Sequence, residues 1–226
     1  MDDLQTSINT FLSDPATLWI WATLNVVSTL VVWIDLARFN PQTHGLMRWV
    51  WLLTALYSGP IGLAVYYYSG RRQIARDSLW RRSFRSVAHC YSGCGAGEII
   101  GLLLAVGVLA LGNLGVSLMT FTFAYVLGFG LTVGPLMADG VPFRTAVRDS
   151  FVAETASITV MEVTAIGIDL WLSAGAGPSE PLFWTSMIFS LSAGFFAAYP
   201  VNVWLIHAGV KSGMGHPGEA HHHGHG

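Results

Sequence analysis

The stretch IIGLLLAVGVLALGNLGVSLMTFTFAYVLGFGLTVGPLMA, residues 99–138, decides the fold class, because its forty positions carry no charged side chain. As a single helix it would extend about 60 Å, roughly twice the thickness of the apolar core of a bilayer. The chain must therefore turn back within the stretch. Gly112 and Asn113 form its best turn dipeptide, which predicts one membrane-spanning helix on each side of them.

Four further apolar segments have the length of a membrane span, namely residues 16–34, 49–70, 151–173 and 181–206. The second contains Pro60, which predicts a kink. Hydrophobic side chains make up 53% of the 226 residues and charged ones only 11%, against about a quarter in soluble domains. This composition excludes a disordered chain, a nucleic-acid-binding protein and an ordinary cytosolic enzyme. The sequence predicts an all-α polytopic membrane helix bundle, with about six transmembrane helices in a lipid bilayer.

The distribution of Lys and Arg predicts how this bundle is oriented in the membrane. If all six segments cross, nine of the 11 basic residues fall on one side. We expect that side to be the cytoplasm, with both termini there, and the membrane to be a bacterial inner membrane. The chain then divides into an N-terminal segment 1–15, transmembrane helices over 16–70, an Arg-rich cytoplasmic loop 71–88, a four-helix membrane core 89–210 and a cytoplasmic tail 211–226.

Both cysteines of the chain lie in one motif near the start of the third span, His89-Cys90-x3-Cys94-x3-Glu98. Cys90, Cys94 and Glu98 recur every fourth residue, so on a helix they form one polar stripe with His89 beside it. Two thiols suit a soft ion such as copper(I), and the His89 imidazole and the Glu98 carboxylate extend this ligand set. Simple packing of two small, buried cysteines is the alternative interpretation.

Three glycines follow the same spacing on this span, Gly93, Gly97 and Gly101. A repeat of small residues every four positions allows another helix to approach closely. We expect the fifth span, residues 151–173, to be that partner.

The fifth span carries carboxylates inside an apolar segment. Glu154, Glu162 and Asp169 fall within about an 80° arc of a helix, with Met161 at its edge. Carboxylates inside a membrane are costly unless they pair, become protonated or line a polar interior, and they commonly mark ion or proton pathways. We therefore predict that Glu154, Met161 and Glu162 share a metal route with His89 and the cysteines. An interhelical hydrogen bond is the alternative.

The tail ends in five histidines within eleven residues: His216, His221, His222, His223 and His225. Clustered imidazoles bind transition metals, so the tail is a candidate auxiliary site for metal capture. On the charge argument it lies on the same side of the membrane as the cysteine motif.

Three motifs in the C-terminal part resemble, in the same order, an uncharacterised bacterial integral-membrane family with a domain of unknown function. They are His89-Cys90-x2-Gly93-Cys94-x2-Gly97-Glu98-x2-Gly101, Ala153-Glu154-Thr155-x-Ser157 and Tyr199-Pro200-Val201-Asn202-x-Trp204. The resemblance covers residues 85–214 and implies a multi-pass membrane fold with a loose association with copper and no established activity. An acidic residue is expected there directly after the third glycine, where this chain has Leu102.

Together these features favour a membrane protein that binds a soft transition metal and transports it or hands it over, rather than an enzyme. Copper(I) is the first expected ion, with zinc or nickel as alternatives, and a metal chaperone is a candidate partner. No nucleic-acid partner is expected, and oligomerisation is left open. Two other functions stay open: a non-catalytic membrane subunit or assembly factor, and a membrane thiol-redox protein.

Overall fold

The computed structural model describes residues 2–43, 45–173 and 175–214, and the regular secondary structure in these ranges is helical. Eight α-helices lie within them: α1 Asp2–Leu12, α2 Pro15–Arg38, α3 Leu46–Ser58, α4 Pro60–Ser69, α5 Leu79–Leu102, α6 Asn113–Ala138, α7 Phe143–Ser173 and α8 Pro181–His207. A π-helical segment, Leu103–Val108, extends α5. The predicted all-α membrane bundle is confirmed.

Five of these helices are long and apolar enough to cross a membrane: α2, α5 with its π-helical extension, α6, α7 and α8. Gly112 is the N-cap of α6, so the chain turns between the third and fourth spans where the sequence predicted. Residues 99–138 therefore do not form one uninterrupted helix. The long helices account for five of the six predicted spans.

The remaining predicted span, residues 49–70, consists of two short helices, α3 and α4, that run antiparallel to each other. The chain reverses at Gly59, whose φ of 54° is accessible mainly to glycine. The rings of Trp51 and Tyr66 lie 5.4 Å apart, and Gly70 packs against the same indole. In one continuous helix residues 51 and 70 would be about 28 Å apart. The predicted kink at Pro60 is therefore wrong, and the segment is a helical hairpin.

This hairpin returns the chain to the end of the bundle where α2 stops. The backbone N–H of Arg72 donates a hydrogen bond to Asn40 Oδ1 at 2.9 Å, and Arg71 Nη2 pairs with the buried Asp35 carboxylate at 2.9 Å. Residues 39–40 and 71–73 consequently lie side by side. All 11 Lys and Arg residues then lie at or near one end of the bundle, where α2, α4, α6 and α8 finish and α3, α5 and α7 begin. We call it the basic end.

The N-terminal helix α1 lies at the opposite end. Gln5 Nε2 donates to the backbone carbonyl of Trp171, near the finish of α7, at 2.7 Å. Thr185 Oγ1, near the start of α8, donates to the carbonyl of Leu12 at 2.8 Å. The described chain thus starts at one end of the bundle and finishes at the other. The expectation that both termini lie on one side assumed a crossing by residues 49–70, and the hairpin removes that crossing.

Helix α5 lies at the centre of the bundle, where it packs against α3, α6, α7 and α8. Its glycine face meets α6: a Cβ added at Gly97 would lie 2.6 Å from Ala124 Cα, and one at Gly101 would lie 2.8 Å from Thr120 Cα. The prediction that the fifth span, α7, packs against this glycine face is wrong. The glycine face contacts α6, and α7 instead contacts the polar stripe of α5.

Candidate functional site

The polar stripe of α5 faces the carboxylates of α7, and the first contact between them includes a lysine. The Cys90 thiol donates to Glu154 Oε2 at 2.6 Å. The Lys211 ammonium group pairs with the same oxygen at 2.6 Å and lies 3.7 Å from Cys90 Sγ. All three side chains are buried. The thiol and the ammonium group therefore share one carboxylate oxygen in the protein interior.

Two side chains of α7 and α8 complete this cluster. Asn202 Oδ1 accepts a hydrogen bond from Lys211 Nζ at 3.1 Å, and Asn202 Nδ2 donates to Ser157 Oγ at 2.5 Å. His89 is buried next to Cys90 in the sequence, and Glu154 and Lys211 act on it electrostatically. Its Nδ1 atom has no hydrogen-bond partner among the described residues. We call Cys90, Glu154, Asn202 and Lys211 the lysine cluster.

Lys211 lies in the loop that follows α8, and its charge state depends on this cluster. Burial by itself would lower the pKa of the ammonium group. The electrostatic effect of Cys90 and Glu154 and their hydrogen bonds outweigh burial and raise the pKa of Lys211 above its usual value. The lysine is therefore protonated at neutral pH, and it holds one positive charge beside the carboxylate.

A second thiol–carboxylate contact lies one helical turn farther from the basic end. Cys94 interacts with Glu162, which is completely buried. Neither carboxylate oxygen of Glu162 meets a hydrogen-bond partner in the part of the chain that the structure describes. A buried carboxyl group without a partner costs about 1–3 kcal/mol. Burial of Glu162 is therefore unfavourable unless its carboxyl group is protonated or interacts with the Cys94 thiol.

Glu98 continues this series toward the far end of the bundle. It interacts electrostatically with Glu162 and Asp169, and its Oε2 atom is buried without a partner in the described ranges. Glu98 and Asp169 line a cavity of about 250 Å³ together with Asn113, Ser117 and Thr120. The loops at the end opposite the basic end border this cavity. The cavity connects that end of the bundle with the carboxyl groups of Glu98 and Asp169.

The two thiol contacts, Glu98 and the cavity form a polar series between α5 and α7, which we call the thiol–carboxylate ladder. The ladder brings together five of the predicted metal ligands, Cys90, Cys94, Glu98, Glu154 and Glu162, and His89 lies beside its first contact. Met161 instead packs against Gly194 of α8. The tail histidines, His216 and residues 221–225, lie outside the described residues.

The predicted ligands are distributed along the ladder rather than gathered around one point. Within residues 2–43, 45–173 and 175–214, no three His, Cys, Asp or Glu side chains are close enough to hold one ion together. Cys90 and Cys94 point to different carboxylates, and both are free thiols. The candidate ligands therefore occur as successive thiol–carboxylate pairs along the ladder, Cys90 with Glu154 and Cys94 with Glu162.

Lys211 is the site residue that sequence reasoning missed, since the charge pattern identified it only as one of the 11 basic residues. It is the single lysine of the chain, beside ten arginines, which was a signal available from composition. Asn202 was noted only as part of a motif around Pro200. Lys211 contacts Glu154, which lies 57 positions earlier in the chain, and Asn202, which lies nine positions earlier. The contact with Glu154 has no local signature in the sequence.

Comparison with known proteins assigns a family to the part of the chain that contains the ladder. Residues 79–211, more than half of the chain, match the family described as Domain of unknown function (DUF4396). No curated protein and no solved structure matches the chain. The matched region begins with α5, ends at Lys211 and therefore includes every member of the ladder and the lysine cluster. The resemblance noted from the motifs is confirmed at this level: the chain belongs to the DUF4396 family.

Proposed function

We propose that this protein moves or hands over a soft transition metal ion across a membrane, with copper(I) as the favoured cargo. The observation that carries the proposal is the thiol–carboxylate ladder, in which each cysteine of α5 faces a carboxylate of α7. Thiolates select soft ions, and carboxylates beside them accept the thiol protons when a metal binds. Chains of ionisable side chains inside a membrane commonly serve as ion pathways.

The distribution of ligands supports movement of an ion better than permanent storage. A tight structural site gathers its full ligand set around one point, whereas here the ligands succeed one another along two helices. The cavity beside Glu98 and Asp169 would admit the ion at the far end, and the lysine cluster would receive it nearer the basic end. The histidines of the tail would then capture or buffer it.

We further propose that the basic end faces the cytoplasm of a bacterial inner membrane, because positive loops are retained on that side. Five crossings then leave the N-terminus outside and the C-terminus inside. Cysteines introduced at two exposed positions test this, since Cys90 and Cys94 are buried. We expect a membrane-impermeant maleimide to label Ser13→Cys in intact cells, and to label Ser212→Cys only after permeabilisation. Equal labelling of both variants in intact cells would contradict the orientation.

Copper(I) binding by purified protein tests the function itself. The five tail histidines are replaced by Gln, so that only the membrane part of the full-length chain binds the ion. Under reducing conditions we expect this protein to retain copper(I), and Cys90→Ser/Cys94→Ser to lose it, because serine does not provide a soft ligand. Metal content after gel filtration measures the result. Ser92→Ala is the matched control, since that hydroxyl lies between the cysteines and, among the described residues, bonds only the His89 carbonyl.

The other outcomes of this experiment identify the alternative functions. A reduced, copper-exposed protein that retains no metal would favour a non-catalytic subunit or assembly factor. A Cys90–Cys94 disulfide recovered from cells would favour a thiol-redox protein.

A further inference from the structure

Lys211 is the only lysine of the chain, and its ammonium group lies among atoms of the kinds that bind cations. Around Nζ are Glu154 Oε2 at 2.6 Å, Asn202 Oδ1 at 3.1 Å and Cys90 Sγ at 3.7 Å. A carboxylate, an amide oxygen and a sulfur atom form a mixed ligand set for a metal ion. The ammonium group holds the position that a free cation would take between them.

The loop that carries Lys211 is built to insert this side chain into the bundle. Gly209 and Gly213 flank it with φ of 72° and 73°, so the chain folds back beneath the end of α8. Arg85 Nε holds the loop by donating to the carbonyl of Met214 at 2.9 Å. The lysine side chain itself is a flexible stem with a compact charge, which can withdraw while the loop stays attached. An arginine would present a planar group with five donors, which is a poorer mimic of a single ion.

We propose that Lys211 is a tethered occupant of a monovalent-cation site formed by Cys90, Glu154 and Asn202, and that the cargo ion enters this site by displacing it. The inference rests on the proposed function and specifies its substrate class and its control. Without cargo, the lysine neutralises Glu154 and closes the ladder at the basic end. With cargo, the ammonium group moves out into the aqueous space at that end.

The charge balance of this exchange favours a monovalent ion. One positive charge leaves with Lys211 and one enters with copper(I), so the net charge of the buried site is unchanged. The Cys90 thiol already donates to Glu154, and its proton passes to that carboxylate as the sulfur atom binds copper(I). Cys90, now a thiolate, is then the charged ligand of the ion beside Asn202 Oδ1, and Glu154 stays next to it as a neutral carboxyl group. No proton has to leave the site. A divalent ion would instead leave one uncompensated charge in the interior, which is strongly unfavourable, or require release of the proton to solvent.

Amine labelling of Lys211 tests the displacement without altering the residue. The full-length protein with its tail histidines replaced by Gln is treated with an amine-reactive reagent, and the peptide containing Lys211 is quantified by mass spectrometry. We expect slow labelling without metal, because the side chain is buried, and several-fold faster labelling after copper(I) is added. Cys90→Ser should show no acceleration.

Copper(I) affinity provides the second measurement, by competition with a chromogenic copper(I) chelator. We expect Lys211→Leu, which adds no metal ligand, to bind copper(I) roughly tenfold or more tightly than the lysine-containing protein, since a competing charge pair is removed. Lys211→Arg keeps the charge and should show no such gain. Labelling of the unsubstituted Lys211 remains decisive should Lys211→Leu fail to fold.

The outcomes separate this inference from the proposed function. Copper(I) bound through Cys90 with Lys211 still protected, or with equal affinity in Lys211→Leu, would overturn the displacement and leave the function standing. Absence of bound copper(I) from every variant would overturn both.

Discussion

Glu162→Gln is expected to abolish metal-dependent uptake, efflux or resistance while leaving expression and stability in detergent close to those of the unaltered protein. Gln keeps the shape of the side chain, but it can neither carry a negative charge nor accept a proton from Cys94. The ladder would therefore be interrupted between its two ends. Metal accumulation in cells and the thermal unfolding midpoint of the purified variant measure the two parts of this prediction.

Glu180→Gln is the matched control, because Glu180 lies in the loop before α8 and its side chain accepts a hydrogen bond only from the backbone N–H of Gly177 among the contacts that the structure describes. It should behave like the unaltered protein. Glu162→Leu distinguishes function from structure, since the carboxylate has no hydrogen bond to lose within the described ranges. We expect its unfolding midpoint to be unchanged or higher. Full metal transport by Glu162→Gln would remove this residue from the mechanism.

Gly97→Leu is expected to prevent correct assembly of the bundle and to leave little folded protein. A Cβ at this position would lie 2.5 Å from the Phe123 carbonyl carbon and 2.6 Å from Ala124 Cα, both in the backbone of α6. Backbone atoms of a packed helix cannot move away as a flexible side chain can. Overpacking of this kind costs about 1–3 kcal/mol and sometimes more, and a leucine adds three further carbon atoms. Yield and monodispersity in detergent measure the effect.

Gly130→Leu is the control for this substitution. Gly130 is a helical glycine of α6, but a Cβ added there would meet no atom within 4 Å among the described residues, apart from its chain neighbours and the adjacent backbone of its own helix. The new side chain should meet lipid, and the yield should match that of the unaltered protein. Equal losses in the two variants would show that the damage comes from replacing glycine in a membrane helix, and not from the contact between α5 and α6.

The membrane bundle was predictable because a bilayer imposes a strong local condition on the sequence. Long uncharged stretches such as residues 99–138 have to form helices that satisfy their own backbone hydrogen bonds. The same condition made residues 49–70 misleading, because an uncharged segment of that length satisfies it either as one crossing helix or as two helices buried in the bundle. The positive φ of Gly59 distinguishes the two, and it is a property of the folded backbone.

Which side chains share one face of a helix could likewise be predicted, from the spacing of the residues in the sequence. The fourfold repeat of Cys90, Cys94 and Glu98 places them on one side of α5, and similar arithmetic aligns Glu154 and Glu162 on α7. Spacing does not say which neighbour each face meets. The glycine face therefore met α6 rather than the expected α7, whereas the polar stripe did meet α7.

By itself, the sequence determined the helical membrane class, the positions of the five long apolar helices and the polar faces of α5 and α7, since each depends on residues a few positions apart. Only the tertiary structure decided the hairpin, the gathering of all basic residues at one end and the insertion of Lys211 beside Glu154. The last contact joins residues 57 positions apart through a loop. Such contacts depend on how whole helices pack, and no local pattern of side chains encodes them.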